Sequence, residues 1–419
     1  MEIGIGANLF VPFLSFKIPD SHLFAMCINC NYNSYSKIIY FVDGGLFMEI
    51  KYKPLFESFA FRSGVEVENR VVMAPMTNWS SNIDGTVSDA EVDYYIRRSG
   101  GVGMVITACT NVSPNGQGFH GEFAGDRDEM IPSLLRLATA IKDRGSKAVL
   151  QIFHGGRLCP PELVPHGDVV SASAVETENG ILPRALTDKE IVDIIHDFAE
   201  TTRRAIEAGY DGVEIHGANN YLIHQFFSGH TNRREDRWGG SLEKRLSFPL
   251  AVVDAVKQVV AEYANRPFIV GYRFSPEEPE ELGFTMEDTF VLLDALAEKE
   301  LDYIHVSTLD FWSEPRRGVE VDGRSRMEFI RDHLDGRVPI IGVGSIHTAD
   351  EALKALAMDI PLIALGRELI MEPDWVEKVQ AGHEEDIATT VGTTAQEQLV
   401  IPDPLWNGIL NNPGWFPVV

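Results

Sequence analysis

His216, Asn219 and Tyr221 are the residues whose types and spacing best suit chemistry, following directly on the apolar run Gly212-Val213-Glu214-Ile215. An imidazole and a carboxamide three residues apart are two neutral hydrogen-bonding groups. Together they can polarise one carbonyl oxygen and hold the negative charge that develops on it. A phenol two residues further on is a weak acid, protonated at neutral pH and able to give its proton. A lone histidine after a strand is more often structural, so the reading depends on what other strand ends bring to the same place.

The elements that must position these groups are legible from Asn69 onward. Short apolar runs, four to seven residues long and mostly rich in Val and Ile, alternate with amphipathic stretches. The runs are 71–74, 104–108, 148–152, 212–216, 268–274, 303–307, 338–343 and 362–365. They read as parallel strands buried on both faces. Between them, as in 188–208, Ile191, Ile194, Ile195, Phe198 and Ala199 recur at helical spacing. Ser133, Thr187 and Ser241 stand where helix caps are expected. Eight β–α repeats predict a (β/α)8 TIM barrel with its active site at the strand C-termini. A doubly wound open sheet is disfavoured, because no G-x-G-x-x-G follows the first strand.

The strand ends then form a consistent set. Strand one runs into Ala74-Pro75-Met76-Thr77, strand three carries Gln151 and continues to His154 and Arg157, and strand five offers Arg273. Strand seven ends near Gly344-Ser345 and strand eight at Gly366-Arg367. Glycines let backbone N–H groups approach a phosphate, and an arginine can pair with it bidentately. Loops after strands seven and eight are where such barrels bind phosphate. Gln151 can both donate and accept, as the N–C=O edge of a heterocycle requires, and Arg273 is a permanent cation. The role of His154 is open, and Cys109 reads most simply as a small core residue.

With these residues in order, the chain resembles the Old Yellow Enzyme family of FMN-dependent ene-reductases, in its bacterial NADH:flavin oxidoreductase branch. The carrying motifs are Asn69-Arg70-Val71-Val72-Met73-Ala74-Pro75-Met76-Thr77, the segment 151–157, the segment 214–221, and Asn232-x3-Asp236-x-Trp238-Gly239-Gly240-Ser241-Leu242-Glu243-x-Arg245. The resemblance implies FMN held by Ala74, Pro75, Met76 and Thr77 along its middle and pyrimidine region, with the backbone at Cys109 facing the ring. It further implies Gln151 at the pyrimidine edge, Arg273 near N1, and Gly344, Ser345, Gly366 and Arg367 at the phosphate. His216 and Asn219 would bind a carbonyl or nitro oxygen and Tyr221 would donate the proton. Hydride would come from NADH or NADPH and pass to the β-carbon of an activated alkene. Thr77 and Asn219 stand where many bacterial relatives have Cys and His, so redox tuning by a thiol is not expected. Trp79 stands where Tyr is common and is expected to narrow the substrate pocket. Trp238-Gly239-Gly240 is expected to form a structural turn, and the acidic run 277–281 a solvated loop.

Composition sets outer bounds. Lys+Arg 36 against Asp+Glu 62 gives a net charge of −26, which argues against nucleic acid or an anionic membrane as partner. Four cysteines make no disulfide framework at 419 residues, and Cys27 and Cys30 lack a second pair for zinc. No metal is expected, and Cys109 and Cys159 are expected reduced, as in the cytoplasm. Residues 1–47 differ from the rest: an apolar start without a basic flank, a Lys/Ile/Tyr/Asn-rich stretch, then Gly-Gly just before Met48. They are expected to be a non-native extension with Met48 as the true start. The domain reading is therefore 1–47 extension, 48–385 FMN-binding barrel and 386–419 a tail packing on the barrel. The aromatic segment 402–419 is placed against the barrel or against a neighbouring subunit of a homo-oligomer. Two alternatives stand beside the ene-reductase. A non-flavin phosphate-binding barrel enzyme would want a Schiff-base lysine or metal ligands at a strand end. A flavin-binding redox sensor or carrier would be reduced once and stop.

Overall fold

The structure is a computed structural model. It describes residues 48–419, together with the backbone of three antiparallel strands before them, Phe13–Lys17, Leu23–Ile28 and Lys37–Val42. The expectations about residues 1–47 as an extension, and about Cys27 and Cys30, otherwise lie outside the described residues.

Eight parallel strands close into a barrel: β1 (Val71–Met73), β2 (Met104–Ile106), β3 (Lys147–Phe153), β4 (Gly212–Gly217), β5 (Ile269–Phe274), β6 (Tyr303–Val306), β7 (Ile340–Val343) and β8 (Leu362–Leu365). Each pairs with the next, and β8 pairs with β1 to close the ring. Almost every strand residue is buried, because helices cover the outer face while side chains from the strands fill the inside. The interior is packed by Val72, Met104, Ile106, Val149, Ile269, Ile341, Leu362 and Ala364. At the N-terminal end of the strands, Phe61, Val65 and Val67 join the same cluster and plug the barrel. The expected strands are all present, most of them a residue or more shorter. Phe268 and Val338 precede their strands without pairing, and Ala74 and Ser307 follow theirs, still donating backbone N–H to Leu365 O and Phe274 O.

Helix positions follow the expected caps in two of three places. The helix Asp188–Glu207 begins with a reciprocal capping box between Thr187 and Glu190, and Ser241 accepts from Lys244 N. Ser133 is a correction: the helix Ile131–Lys142 starts two residues earlier, with Pro at its first turn. The Ser133 hydroxyl instead accepts from Val87 N at 2.6 Å, tying this helix to the loop after β1.

The acidic run 277–281 is a second correction. Glu277 pairs with Arg326 at 2.6 Å, its side chain only 3% exposed. Glu278 is 2% exposed and meets His224 Nε2 at 2.8 Å. A solvated loop was the expectation; distant cations and a buried imidazole fold two of its acids inward. Trp238 is buried and its indole N–H donates to Asp188 Oδ1 at 2.7 Å, a purely structural contact.

Residues beyond 386 run back over the barrel. The helix Asp403–Asn411 buries Leu405, Trp406 and Ile409, and Phe416 is buried beyond it. Buried Arg98, on the helix Asp89–Arg98, donates to Leu399 O at 2.6 Å and anchors the segment.

Candidate active site

The C-terminal ends of the strands surround a cleft of about 470 Å³, within the range of ligand pockets. Ala74, Pro75, Met76, Thr77, Trp79, Cys109, Gln151, His216, Asn219, Tyr221, Arg273, Gly344, Ser345, Gly366 and Arg367 all line it. Every site residue expected from the sequence therefore meets in one place. A cleft of similar size, about 450 Å³, lies at the opposite end of the barrel, but its Arg70 and Arg331 are committed to backbone carbonyls.

Register explains the convergence. His216 on β4 pairs with Arg273 on β5, which pairs with His305 on β6. Side chains two residues apart on a strand share a face, so a second row lies one layer deeper: Gln151, Glu214, Gly271 and Tyr303, across β3 to β6.

His216 is buried, and its Nδ1 accepts from the backbone N–H of Ala218 at 3.2 Å. Burial, reinforced by the Arg273 charge, holds this imidazole well below its ordinary pKa. It is therefore neutral, and with Nδ1 accepting, the proton sits on Nε2 as a donor. Asn219 has a left-handed backbone (φ 57°), a conformation asparagine tolerates better than most residues. Its Oδ1 accepts from Ser307 Oγ at 3.0 Å, which leaves its amide N–H groups to donate. Ser307 in turn accepts from Arg273 Nη2 at 3.2 Å.

Tyr221 is wedged among aromatic rings. Its ring stands edge-on to His216 at 4.9 Å and to Phe153 at 5.0 Å. Burial, and then the acidic groups at Cys109 and Glu122, push its pKa well above the ordinary phenol value, so it carries its proton throughout the physiological range. Cys109 is also buried and its thiol is pushed up by burial, so it has no thiolate chemistry. Its Sγ lies 3.7 Å from Thr77 Oγ1. His154 resolves as structural: its Nδ1 accepts from Gly156 N at 3.0 Å, and burial takes its pKa down to about 3.

At the far end, Gly344 (φ 146°) and Ser345 (φ 47°) bend the chain after β7. A side chain at Gly344 would strike the backbone of Phe311 at 2.4 Å, so only glycine fits this bend. Arg367 Nη2 donates to Ser345 Oγ at 2.7 Å and Nη1 to Trp415 O at 2.9 Å.

These residues fit FMN by chemistry. One end of the cleft has an arginine, a hydroxyl and a glycine bend for a phosphate. The middle has Gln151 and the cation Arg273, whose buried Nε has no hydrogen-bond partner among the described residues. Such an orphaned buried donor calls for an acceptor, as an anionic reduced ring provides.

Phe119, Ser307, Thr308, Leu309, Val343 and Trp415 also line the cleft and were not expected. Ser307 was findable, as the last residue of an expected strand. Trp415 belonged to the aromatic tail expected on the barrel or a neighbouring subunit, but no periodicity tied that tail to the strand ends. It meets Trp79 with ring centres 5.8 Å apart, and Gly408 makes room for both indoles: a side chain there would lie 3.1 Å from the Trp79 ring.

Comparison with known proteins agrees with this geometry. The model of the NADH:flavin oxidoreductase / NADH oxidase family matches residues 54–386. The chain is 54% identical over 370 residues to the "Probable NADH-dependent flavin oxidoreductase YqiG" of Bacillus subtilis (strain 168), covering 88% of this chain and 99% of that one. It is 41% identical to the NADH:fumarate oxidoreductase of Klebsiella pneumoniae (strain 342), over 84% of this chain but only 38% of that longer protein. Among solved structures, morphinone reductase in complex with tetrahydroNAD superposes with a TM-score of 0.67 at 29% identity, over 78% of this chain and 91% of that one.

Proposed function

The chain belongs to the NADH:flavin oxidoreductase / NADH oxidase family, and from that premise we propose that this NAD(P)H-dependent FMN enzyme reduces the activated C=C bond of α,β-unsaturated carbonyl or nitro compounds. The carrying observation is the trio at the end of β4: two neutral donors, His216 and Asn219, with the protonated phenol of Tyr221 edge-on to the imidazole at 4.9 Å.

When bound, FMN would supply the hydride chemistry that links NAD(P)H to the acceptor. The protein supplies the rest. Ala74, Pro75, Met76, Thr77, the backbone at Cys109, and Gln151 and Arg273 would hold the ring system. Gly344, Ser345, Gly366 and Arg367 would hold the phosphate. His216 Nε2–H and the Asn219 amide receive the acceptor's carbonyl or nitro oxygen and stabilise the charge that develops on it; removing one such donor typically costs about 10²–10³ in rate. Tyr221 delivers its proton to the α-carbon. Trp79 narrows the mouth. Residues 48–385 form the catalytic unit, and 386–419 complete its wall at Trp415.

A second reading rests on the longer relatives. The chain spans 38% of the NADH:fumarate oxidoreductase and 35% of the NADH:acrylate oxidoreductase of Vibrio harveyi. A barrel built into longer oxidoreductases suits an NADH-oxidising unit whose electrons leave for a separate acceptor.

One experiment separates the readings: absorbance of the purified protein followed anaerobically after NADH or NADPH and then cyclohexenone. Flavin bands near ~450 nm that bleach with nicotinamide and return with enone support the ene-reductase. Bleached bands that return only with an artificial electron acceptor or oxygen favour the second reading. A protein that cannot be loaded with FMN would overturn both.

A further inference from the structure

Glu214 is a fully buried acid in the middle of an apolar strand, and it does not reach the cleft. A charged group in such a place is costly unless its oxygens are all satisfied. Here three donors converge on it: Gln151 Nε2 at 2.6 Å on one oxygen, and Tyr303 OH at 3.0 Å and His305 Nδ1 at 2.9 Å on the other. The row across the strands makes this possible. Gly271 stands between Glu214 and Tyr303 in register, and a side chain there would sit 2.1 Å from the Tyr303 ring. Only a glycine lets the phenol lean across β5 to reach the carboxylate. Burial alone would push Glu214 up, but the His305 contact, the Arg273 charge and the Gln151 bond outweigh it and hold it below the usual carboxylate range.

A carboxylate only accepts. Gln151 therefore has to turn its NH2 group towards Glu214, which leaves its Oε1 and one remaining N–H for the cleft. An amide held this way has one polarity, where a free one would have two. We propose that Glu214 is a positioning residue: it fixes which atoms of Gln151 face the cleft where the cofactor would bind, and places a buried negative charge behind that amide. This rests on the reading of the cleft as an FMN site.

The test uses FMN binding to the apoprotein, followed by quenching of flavin fluorescence, and the flavin reduction potential measured by spectroelectrochemistry. In Glu214→Gln, the new amide can accept or donate, so Gln151 loses its fixed polarity. The expected result is a Kd for FMN about ten-fold higher, the loss of one well-oriented hydrogen bond. The potential should shift positive, because removing a negative charge favours adding electrons to the ring. Tyr303→Phe is the control: it disturbs the same carboxylate but leaves the Gln151 bond, so it should lower Tm without moving Kd or potential. Equal shifts in Tyr303→Phe would refute the proposal in favour of general loosening of the core. Should Glu214→Gln fail to fold, Glu214→Asp carries the test. It keeps the charge but withdraws from Gln151, so Kd should rise with little change in potential, and an unchanged Kd refutes the proposal. Wild type that binds no FMN overturns the cofactor reading and this inference together. Wild type that binds normally beside an unaffected Glu214→Gln overturns the Glu214 role alone.

Discussion

Ser307 offers the sharpest test of how the proposed oxyanion pair, His216 and Asn219, is aimed. Its hydroxyl is the one group among the described residues that holds the Asn219 side chain, donating to Oδ1 at 3.0 Å. In Ser307→Ala the amide is free to turn, and for part of the time it presents a carbonyl oxygen to the developing negative charge. The loss is that of one neutral hydrogen bond, about 0.5–1.5 kcal/mol, or roughly 2- to 13-fold in rate. Deleting the donor itself, in Asn219→Ala, should cost about 10²–10³. The assay is kcat/KM for cyclohexenone at saturating NAD(P)H, run as a double-mutant cycle. If Ser307 acts only through Asn219, adding Ser307→Ala to the Asn219→Ala background should cost nothing further, since the groups share one network. Ser307→Thr, which keeps the hydroxyl, should recover most of the loss. Additive losses, or a Ser307→Ala deficit as large as that of Asn219→Ala, would mean that Ser307 touches the substrate directly and that the orientation argument is wrong.

Three further outcomes are expected. Tyr221→Phe should leave anaerobic bleaching by NAD(P)H intact but slow the return of the flavin bands with enone by about 10²–10⁴, read by stopped flow. Gly271→Ala should force the Tyr303 ring off Glu214 and cost about 1–3 kcal/mol by overpacking, read from denaturant midpoints. Glu91, which tethers the loop after β1 through Ser81 Oγ at 2.7 Å, is raised by burial to about 7, with Ser81 and Ser88 partly opposing. A raised carboxylate stabilises the fold in its protonated form. That contribution is whole below the unfolded value near 4.5, fades as pH rises, and is gone above about 7. Glu91→Gln should therefore flatten the fall in Tm across that window, worth about 3 kcal/mol at most; an unchanged slope would count against it.

The barrel was readable because strands buried on both faces spell themselves as short Val- and Ile-rich runs, and eight of them in sequence leave few topologies. The cleft residues were readable for a related reason: a barrel gathers strand ends, so residues far apart in sequence could be grouped by their place in the repeat. What failed depended on partners supplied from elsewhere. Glu277 and Glu278 look solvated until Arg326 and His224 are brought beside them. Ser133 sits where a cap is common, but Pro132 already suits the helix start and the hydroxyl answers to Val87. Glu214 was visible as an acid in an apolar strand, yet its meaning required the register that sets Gly271 between it and Tyr303. Trp415 was visible only as part of an aromatic tail expected against the barrel or a neighbouring subunit, with nothing local to tie it to the cleft.

The seam between β1 and β8 has a consequence for how the protein comes together. Arg70 donates to Pro361 O across 291 positions of sequence, and Val72 pairs with Ala364 beside it. The cleft-lining residues 74–77 follow one edge of that seam, and Gly366 and Arg367 follow the other. Closing so long a loop is a late and slow event on a folding route, because its entropy cost comes before the contacts that offset it. A ligand gripped from both edges binds only after closure and then holds the ring shut, adding RT ln(1 + [L]/Kd) to the closed state. Uptake of flavin should thus act as a latch on the last step of assembly, and the appearance of bound-flavin absorbance during refolding would time the moment when the first and last strands meet.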